Sequence, residues 1–174
     1  CAVEREKQVF IPDGNFELKA RDEISIVGTP AKTIEFFKKL GVPTSSARDA
    51  LIVGGGRTSV YLAKQLLEMG IRVKIVERDE ERCEELNEMV PKAMIICGDA
   101  TDKDLLIEEG LLETEAFVAT TNFDEENIML ALFAKSLSSA KLITKVHRIS
   151  YDDIIDQLDV GSIIYPKFIT SESI

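Results

Sequence analysis

Three consecutive glycines restrict the fold of this chain more than any other feature of its sequence. Residues 54–56 are all glycine. They follow the apolar run 50–53 and precede residues 58–69, whose apolar side chains recur at helical spacing. Glycines between a buried strand and a helix permit the tight bend that opens a βαβ unit. The sequence therefore predicts a parallel α/β fold, because βαβ units place their strands side by side in one direction.

The segment after the glycine turn alternates short apolar runs with helical patterns. Strands are predicted at 50–53, 73–76, 94–97, 116–119, 142–146 and 162–165, and helices at 58–69, 80–89, 102–109, 124–137 and 151–158. Continuous apolar strands indicate that helices cover both faces of the sheet. We therefore expect a Rossmann-like, doubly wound parallel sheet over residues 49–170. The helix at 124–137 is apolar on nearly every side, so we expect either a core helix packed on several sides or a subunit interface.

The first 42 residues have a different pattern and end at a loop, since residues 41–46 contain Gly, Pro and two Ser. Short strands are predicted at 9–11, 16–20 and 23–27, with a turn at 12–15 and a helix around 34–40. So short a segment cannot bury an independent core. We therefore expect residues 1–42 to be part of a small α+β domain, preceding the Rossmann-like one.

Charge and cysteine content narrow the functional classes. A net charge of −10 repels phosphate backbones, which argues against nucleic acid as a partner. Three cysteines without CxxC spacing and a single histidine argue against a disulfide framework and against a metal site. No apolar run approaches the length of about 18 residues that a transmembrane helix needs, and nothing is typical of a signal peptide. We expect a cytoplasmic protein, and the start at Cys1 suggests a fragment of a longer chain.

The glycine turn is the first candidate binding element. Gly54 permits the tight bend, and Gly56 lets the backbone approach a diphosphate. The amides of Arg57, Thr58 and Ser59 would then point at the anion, helped by the helix dipole. Ser59 stands where the GxGxxG pattern has its third glycine. The Arg57 guanidinium either reaches a terminal phosphate, which would favour ATP or ADP, or lies on the surface.

Glu77 is the second candidate. It ends the second strand, about 20 residues after the glycine turn. A carboxylate at this position accepts hydrogen bonds from ribose hydroxyls and repels a 2′-phosphate, so NAD or an adenine nucleotide is favoured over NADP. The alternative is a solvated carboxylate at the end of a strand.

The remaining candidates follow strands three to five. Asp99 and the Ala100 backbone would lie beside the adenine, unless Asp99 or Thr101 only caps the next helix. Ligands of parallel sheets bind beyond the carboxyl ends of the strands, which is where these residues stand.

Thr121 and Asn122, after the fourth strand, can hydrogen-bond the distal ribose or the phosphates, although Asn122 or Asp124 can equally be an N-cap. Lys145, near the end of the fifth strand, either pairs with a phosphate or forms an exposed salt bridge.

These motifs together resemble a known family. ALIVGGGR at 50–57, IVERDEERCEEL, CGDATDKDLL, VATTNFDEEN and DVGSIIYPKFIT are similar to the nucleotide-binding domain that regulates potassium conductance, found in TrkA-type subunits of Trk potassium uptake systems. IPDGNFELKARDEISIVGT at 11–29 resembles the end of the small TrkA-C domain that follows such a module.

The resemblance implies a regulatory subunit that binds NAD(H), with ATP or ADP as the alternative, and gates a membrane potassium transporter. It implies a homo-oligomer, a dimer or larger, peripheral to the inner face of the cell membrane. A crossover helix would begin near residues 171–174. On the family motif, Gly54 to Thr58 match the phosphate turn, Glu77 the ribose acid, and Thr121 and Asn122 the contacts after the fourth strand. Lys145 stands where many relatives have arginine.

Two other functions remain open at this point. One is an NAD-dependent oxidoreductase, although no substrate domain follows, Tyr61 and Lys64 are spaced as YxxK rather than YxxxK, and His147 is the only imidazole available as an acid or base. The other is a copy of the same domain that binds nothing and serves as a scaffold. We expect no catalytic residues.

Overall fold

The computed structural model describes residues 1–5, 8–41, 47–148, 158 and 160–166. The chain falls into two compact units, Cys1–Ser46 and Ala47–Ile174. The candidate binding residues discussed below all lie in the second unit.

The first unit contains a three-stranded antiparallel sheet and one helix. Its elements are β1 (Ala2–Arg5), β2 (Gln8–Phe10), β3 (Glu23–Ser25) and α1 (Pro30–Lys39). Strand β1 lies in the centre and pairs with β2 and β3 on its two sides. The turn at 12–15 forms as predicted, with the Phe16 amide donating to the Asp13 carbonyl over 3.2 Å. Strand β1 was not predicted from the sequence.

The predicted strand at 16–20 is wrong, because this segment does not join the sheet. Its backbone instead forms hydrogen bonds with the ion pair between Arg5 and Asp22. Both carboxylate oxygens of Asp22 accept hydrogen bonds from the Arg5 guanidinium at 2.7 Å. The Lys19 amide donates to Asp22, and the Glu17 carbonyl accepts from Arg5. The hydrogen bonds from Arg5 lower the pKa of Asp22 to about 2.

The second unit is a doubly wound sheet of six parallel strands, as predicted. Its strands are β4 (Asp49–Val53), β5 (Arg72–Glu77), β6 (Met94–Cys97), β7 (Ala116–Ala119), β8 (Lys141–Lys145) and β9 (Ser162–Ile164). Its helices within the described residues are α2 (Arg57–Glu68), α3 (Glu80–Met89), α4 (Lys103–Glu108) and α5 (Asp124–Leu137). The strand order is β6-β5-β4-β7-β8-β9, so the direction of winding reverses between β4 and β7.

Each face of this sheet carries its own layer of helices, because neighbouring residues of a strand point to opposite faces. On one face, Ile52 and Ile75 pack with Ala63 of α2 and Leu86 of α3. On the other face, a second apolar cluster includes Leu51 and Phe117 of the sheet, Leu106 of α4 and Leu130 of α5. Burial on both faces explains why the strands are continuous apolar runs.

Helix α5 is a core helix with one open face. Leu130 and Ala131 are buried in two separate apolar clusters, so the helix packs on more than one side. Met129 is 66% exposed and Leu137 is 41% exposed. The apolar pattern of the sequence therefore overstates how far the helix is enclosed in this unit.

Two predicted elements, the helix at 151–158 and the crossover helix at 171–174, fall outside the described residues apart from Leu158. Among the described residues, no helix combines the length and the apolar character that a bilayer span requires.

Candidate functional site

A cleft of about 130 Å³ opens at the carboxyl ends of β4, β5, β6 and β7, at the point where the winding of the sheet reverses. Open α/β sheets bind their ligands at this position. The lining residues come from the ends of β4 and β5, the loops after the four strands and the first turn of α5: Val53, Gly54, Gly55, Gly56, Val76, Glu77, Arg78, Gly98, Asp99, Ala100, Thr120, Thr121, Asn122, Phe123 and Glu126. Seven of the eleven predicted site residues are among them, namely Gly54, Gly56, Glu77, Asp99, Ala100, Thr121 and Asn122.

The glycine turn is fixed by bonds to the neighbouring strand and helix. Gly54 has a φ of 95°, a conformation that favours glycine. Its amide donates to the Val76 carbonyl over 2.9 Å. A Cβ at Gly54 would lie 3.0 Å from the Thr121 amide nitrogen, so a side chain would meet backbone there. The carbonyl of Gly55 accepts from Nε of Arg82 over 2.8 Å.

The start of α2 is not crowded by neighbouring backbone as Gly54 is. Gly56 is its N-cap, and a Cβ at this position would meet nothing within 4 Å. Helices cannot satisfy their first backbone N–H groups internally. The amides of Arg57, Thr58 and Ser59 therefore offer the donors and the partial positive charge that an anion prefers. Within the described residues, the side chains of Arg57 and Thr58 are exposed and do not line the cleft.

Glu77 joins the turn to the end of β5. Its Oε2 accepts from the Gly55 amide over 2.6 Å, and its Oε1 accepts from the amides of Arg78 and Asp79 at 2.8 and 3.0 Å. The interpretation of Glu77 as a solvated carboxylate at a strand end is therefore wrong. Carboxylate oxygens have about four lone-pair positions between them, so Glu77 retains capacity for a hydroxyl donor of a ligand.

Ser59 and Lys145 lie beneath the cleft, not in its lining. Ser59 is fully buried, and its Oγ is 2.9 Å from Oγ1 of Thr120. The Thr120 hydroxyl donates its only hydrogen to the Val53 carbonyl, so Ser59 is the donor to Thr120. Lys145 is 6% exposed and donates from Nζ to the Thr120 carbonyl over 2.8 Å. The exposed salt bridge considered for Lys145 is therefore wrong, and the side chain does not reach the cleft in this structure.

The loop after β6 holds an ionised carboxylate. Oδ1 of Asp99 accepts from the backbone amide and the hydroxyl of Thr101, both at 2.8 Å. These hydrogen bonds lower the pKa of Asp99, with a smaller contribution from the charge of Arg78. The N-cap of α4 is Asp102, which accepts from the Asp104 amide. The interpretation of Asp99 or Thr101 as the helix cap is therefore wrong.

The loop after β7 is held by a residue that the sequence did not single out. Oδ1 of Asn127 accepts from the Thr121 amide over 2.8 Å, and its Nδ2 donates to the carbonyls of Thr121 and Lys145. Helix α5 has Phe123 as its N-cap, without a side-chain cap bond, so neither Asn122 nor Asp124 is the cap. Asn127 follows three acidic residues in the first turn of α5, so no break in the pattern of the sequence marks it.

Two further lining residues were also missed. The Arg78 guanidinium lies 5.8 Å from the centroid of the Phe123 ring, a cation–π arrangement. Arg78 follows β5 and Phe123 follows β7, so this contact joins the two sides of the cleft. Both side chains are exposed. Exposed residues do not follow the apolar periodicity of the core, so this contact could not be predicted from the sequence.

A larger groove, of about 660 Å³, lies at the opposite, amino ends of the strands. Two ion pairs occur among its lining residues, one between Arg72 and Asp49 and one between Lys74 and Glu109. The glycine turn and the first turn of α2 are at the other end of the sheet, so the groove does not share their anion-binding geometry.

The fold and the cleft define a Rossmann-type α/β domain with a glycine-rich turn between β4 and α2. The model of the TrkA-N domain matches residues 50–166, and the chain belongs to this family. The resemblance predicted from the sequence is therefore confirmed for the second unit.

Similar proteins agree with this family. The chain is 32% identical, over 167 residues, to the Trk system potassium uptake protein trkA homolog 1 of Methanosarcina mazei. The match covers 95% of this chain and 41% of that protein, so the chain spans about two fifths of the length of the curated relative.

Solved structures show the same fold at lower identity. The TrkA-N domain of the inner membrane protein ybaL from Escherichia coli has a TM-score of 0.65 at 18% identity, covering 75% of this chain and 96% of that one. The GsuK channel bound to NAD has a TM-score of 0.60 at 17% identity, covering 79% of this chain and 27% of that one.

Proposed function

We propose that this chain is a nucleotide-binding regulatory module of a Trk-type potassium uptake system, and that its cleft binds NAD(H). The observation that carries the proposal is the Glu77 carboxylate, held beside the glycine turn in a chain of the TrkA-N family. The name of the relative from Methanosarcina mazei supports the role in potassium uptake, and the NAD in the GsuK structure supports the ligand.

In the proposed complex, the diphosphate lies over Gly56 and accepts from the amides of the first turn of α2. The hydroxyls of the adenosine ribose donate to Glu77, and the adenine lies beside Asp99 and Ala100. Thr121 and Asn122 contact the distal ribose. A 2′-phosphate would meet the carboxylates of Glu77 and Asp99, so NAD(H) is favoured over its phosphorylated form.

The proposed regulation follows from linkage. A nucleotide shifts the module between two arrangements only if it binds one of them more tightly. The module would assemble as a homo-oligomer on the inner face of the cell membrane and bias a potassium transporter there. No catalytic step is assigned to it.

Calorimetry with NADH, NAD, ATP, ADP and NADPH tests the ligand. We expect NADH or NAD to bind most tightly and NADPH to bind weakly. Tighter binding of ATP or ADP would replace NAD(H) as the ligand. Heat from none of the five would favour a scaffold that binds nothing. Turnover of an added alcohol or hydroxy acid would favour an oxidoreductase.

Glu77→Gln tests the residue that carries the proposal. Glutamine keeps a carbonyl oxygen for the Gly55 amide but loses the charge that strengthens a bond from a ribose hydroxyl. We expect affinity for NADH to fall by about ten- to a hundredfold. Glu84→Gln is the matched control, since Glu84 is exposed on α3 and does not line the cleft. Equal affinity in Glu77→Gln and wild type would remove Glu77 from the site.

A further inference from the structure

Two cysteines flank the end of β5, and the proposed function uses neither of them. Cys97 is the last residue of β6 and pairs with Glu77 in the register of the parallel ladder. Cys83 lies on α3 and is 6% exposed, whereas Cys97 is exposed. Both cysteines therefore stand close to the carboxylate at the mouth of the cleft.

Two hydrogen bonds to the Glu77 carbonyl oxygen show how close Cys83 lies to the end of β6. The Glu77 carbonyl accepts from Sγ of Cys83 over 3.3 Å and from the amide of Gly98 over 2.8 Å. Two donors of the same atom are neighbours in space. The Cys83 sulfur therefore lies against the peptide that joins Cys97 to Gly98.

The directions of the two side chains place both sulfur atoms between α3 and β6. Alternate residues of a strand share a face, so Cys97 points to the same side as Ile95. Ile95 packs in the apolar cluster that contains Leu86 and Val90 of the α3 region. Cys83 precedes Leu86 by three residues and so lies on the same face of the helix. Both thiols therefore lie between α3 and β6.

We propose that Cys83 and Cys97 are a redox-active thiol pair, which a small-molecule disulfide converts into an intramolecular disulfide. The Cys97 thiolate attacks one sulfur of the small disulfide, forming a mixed disulfide and releasing one thiolate. The Cys83 thiolate then attacks the Cys97 sulfur and releases the second thiolate. The two released thiolates take up the two protons that the cysteines lost. The small disulfide is reduced, and the cysteines are oxidised.

The order of these steps follows from exposure. Cys97 is open to solvent, so it can meet the small disulfide directly. Burial raises the pKa of Cys83 to about 12, with a contribution from the neighbouring Cys97 thiol. A buried thiol with a raised pKa is a poor first nucleophile. In the second step it has to reach only the adjacent Cys97 sulfur, and this proximity offsets its low thiolate fraction.

A coupling to the cleft rests on the proposed function. Oxidation removes the S–H donor from the Glu77 carbonyl, and it constrains the strand end that leads to Gly98 and Asp99 at the cleft. We expect the oxidised chain to bind NADH roughly three- to tenfold more weakly, the effect of about one lost hydrogen bond.

Mass spectrometry after treatment with hydroxyethyl disulfide tests the thiol pair without any nucleotide. The chain carries Cys1→Ser, so that only the two cysteines of the pair remain, and free thiols are alkylated before analysis. We expect the loss of two hydrogens, no adduct, and a crosslinked peptide joining Cys83 to Cys97. Cys83→Ser should stop at a stable adduct on Cys97, and Cys97→Ser should stay unmodified.

An adduct that persists on Cys97 when Cys83 is present, or no reaction at all, would overturn the thiol pair. Calorimetry with NADH on the reduced and oxidised chains then tests the coupling, and equal affinities would overturn it. Failure of the reduced chain to bind NADH would refute the proposed function instead. The mass measurement judges the thiol pair in either case.

Discussion

Two glycines of the same turn should respond to alanine in opposite ways. Gly54 has a φ of 95°, and a Cβ there would lie 3.0–3.1 Å from backbone atoms of Thr120 and Thr121. Gly56 has a φ of −69°, and its Cβ would meet nothing within 4 Å. The first position is therefore restricted by the protein itself, and the second is open toward the proposed diphosphate.

The expected stability changes follow from this geometry. A left-handed conformation costs alanine about 1–2 kcal/mol, and crowding against fixed backbone adds a similar amount. The lower entropy of the unfolded chain offsets about 0.4–1 kcal/mol, so Gly54→Ala should lose about 2–3 kcal/mol. For Gly56→Ala the same entropic gain is opposed by a weaker N-cap. Its stability should stay within about 0.5 kcal/mol of wild type.

Urea unfolding followed by far-ultraviolet circular dichroism measures both changes, since the chain contains no tryptophan. An unchanged slope with denaturant would show that the variants report on the same transition. Gly56→Ala should nevertheless bind NADH about tenfold or more weakly, because its methyl group stands where the diphosphate approaches. Full stability of Gly54→Ala would refute the backbone argument. Full affinity of Gly56→Ala would refute the position of the diphosphate.

Two further substitutions and one titration test buried contacts of the second unit and the ion pair of the first unit. Ser59→Ala should lose about 1 kcal/mol of unfolding free energy, the contribution of its bond to the Thr120 hydroxyl. Asp124→Ala should lose about 2–4 kcal/mol, because a buried carboxylate that accepts from the His147 ring and from two amides disappears. For Asp22, an NMR titration of the carboxyl should give a midpoint at a pH of about 2. Since the folded pKa is lowered, the stability gained from this group is complete above the unfolded value and is lost as the pH falls toward 2.

Matched variants decide the first two cases, and the titration midpoint decides the third. Thr58→Ala changes an exposed residue next to Ser59, and an equal loss in both would show that the buried hydrogen bond contributes nothing. Asp124→Asn keeps an acceptor oxygen, so it should be more stable than Asp124→Ala. An ordinary titration midpoint for Asp22 would contradict its bidentate bond with Arg5.

The sequence predicted most of the second unit because its signals are local. Apolar runs of four or five residues, helical spacing and the glycine turn each lie within one element or its boundary. The helix at 80–89 and the strands at 94–97 and 116–119 have the predicted bounds. In the first unit, β1 reads Ala-Val-Glu-Arg, and so short and charged a segment gives no periodic signal.

The candidate site was harder to predict, because its parts meet only in three dimensions. Glu77 and the glycine turn were found from their spacing, which the Rossmann topology imposes. The bonds of Ser59 and Lys145 to Thr120, and the bond of Asn127 to Lys145, depend on the order of the strands, so no pattern along the chain could reveal them. Burial of Lys145 was not expected, since lysine is almost never fully buried without a partner.

Asn127 joins the rim of the cleft to the neighbouring strand β8. The side-chain amide of Asn127 forms hydrogen bonds with both the N–H and the C=O of Thr121. It also donates to the carbonyl of Lys145, the last residue of β8. A displacement of Thr121 by a fraction of an ångström therefore lengthens these hydrogen bonds, rotates the start of α5, or moves the end of β8. Strain applied at the mouth of the cleft would therefore reach β8 through the Asn127 amide and the adjacent Lys145 ammonium.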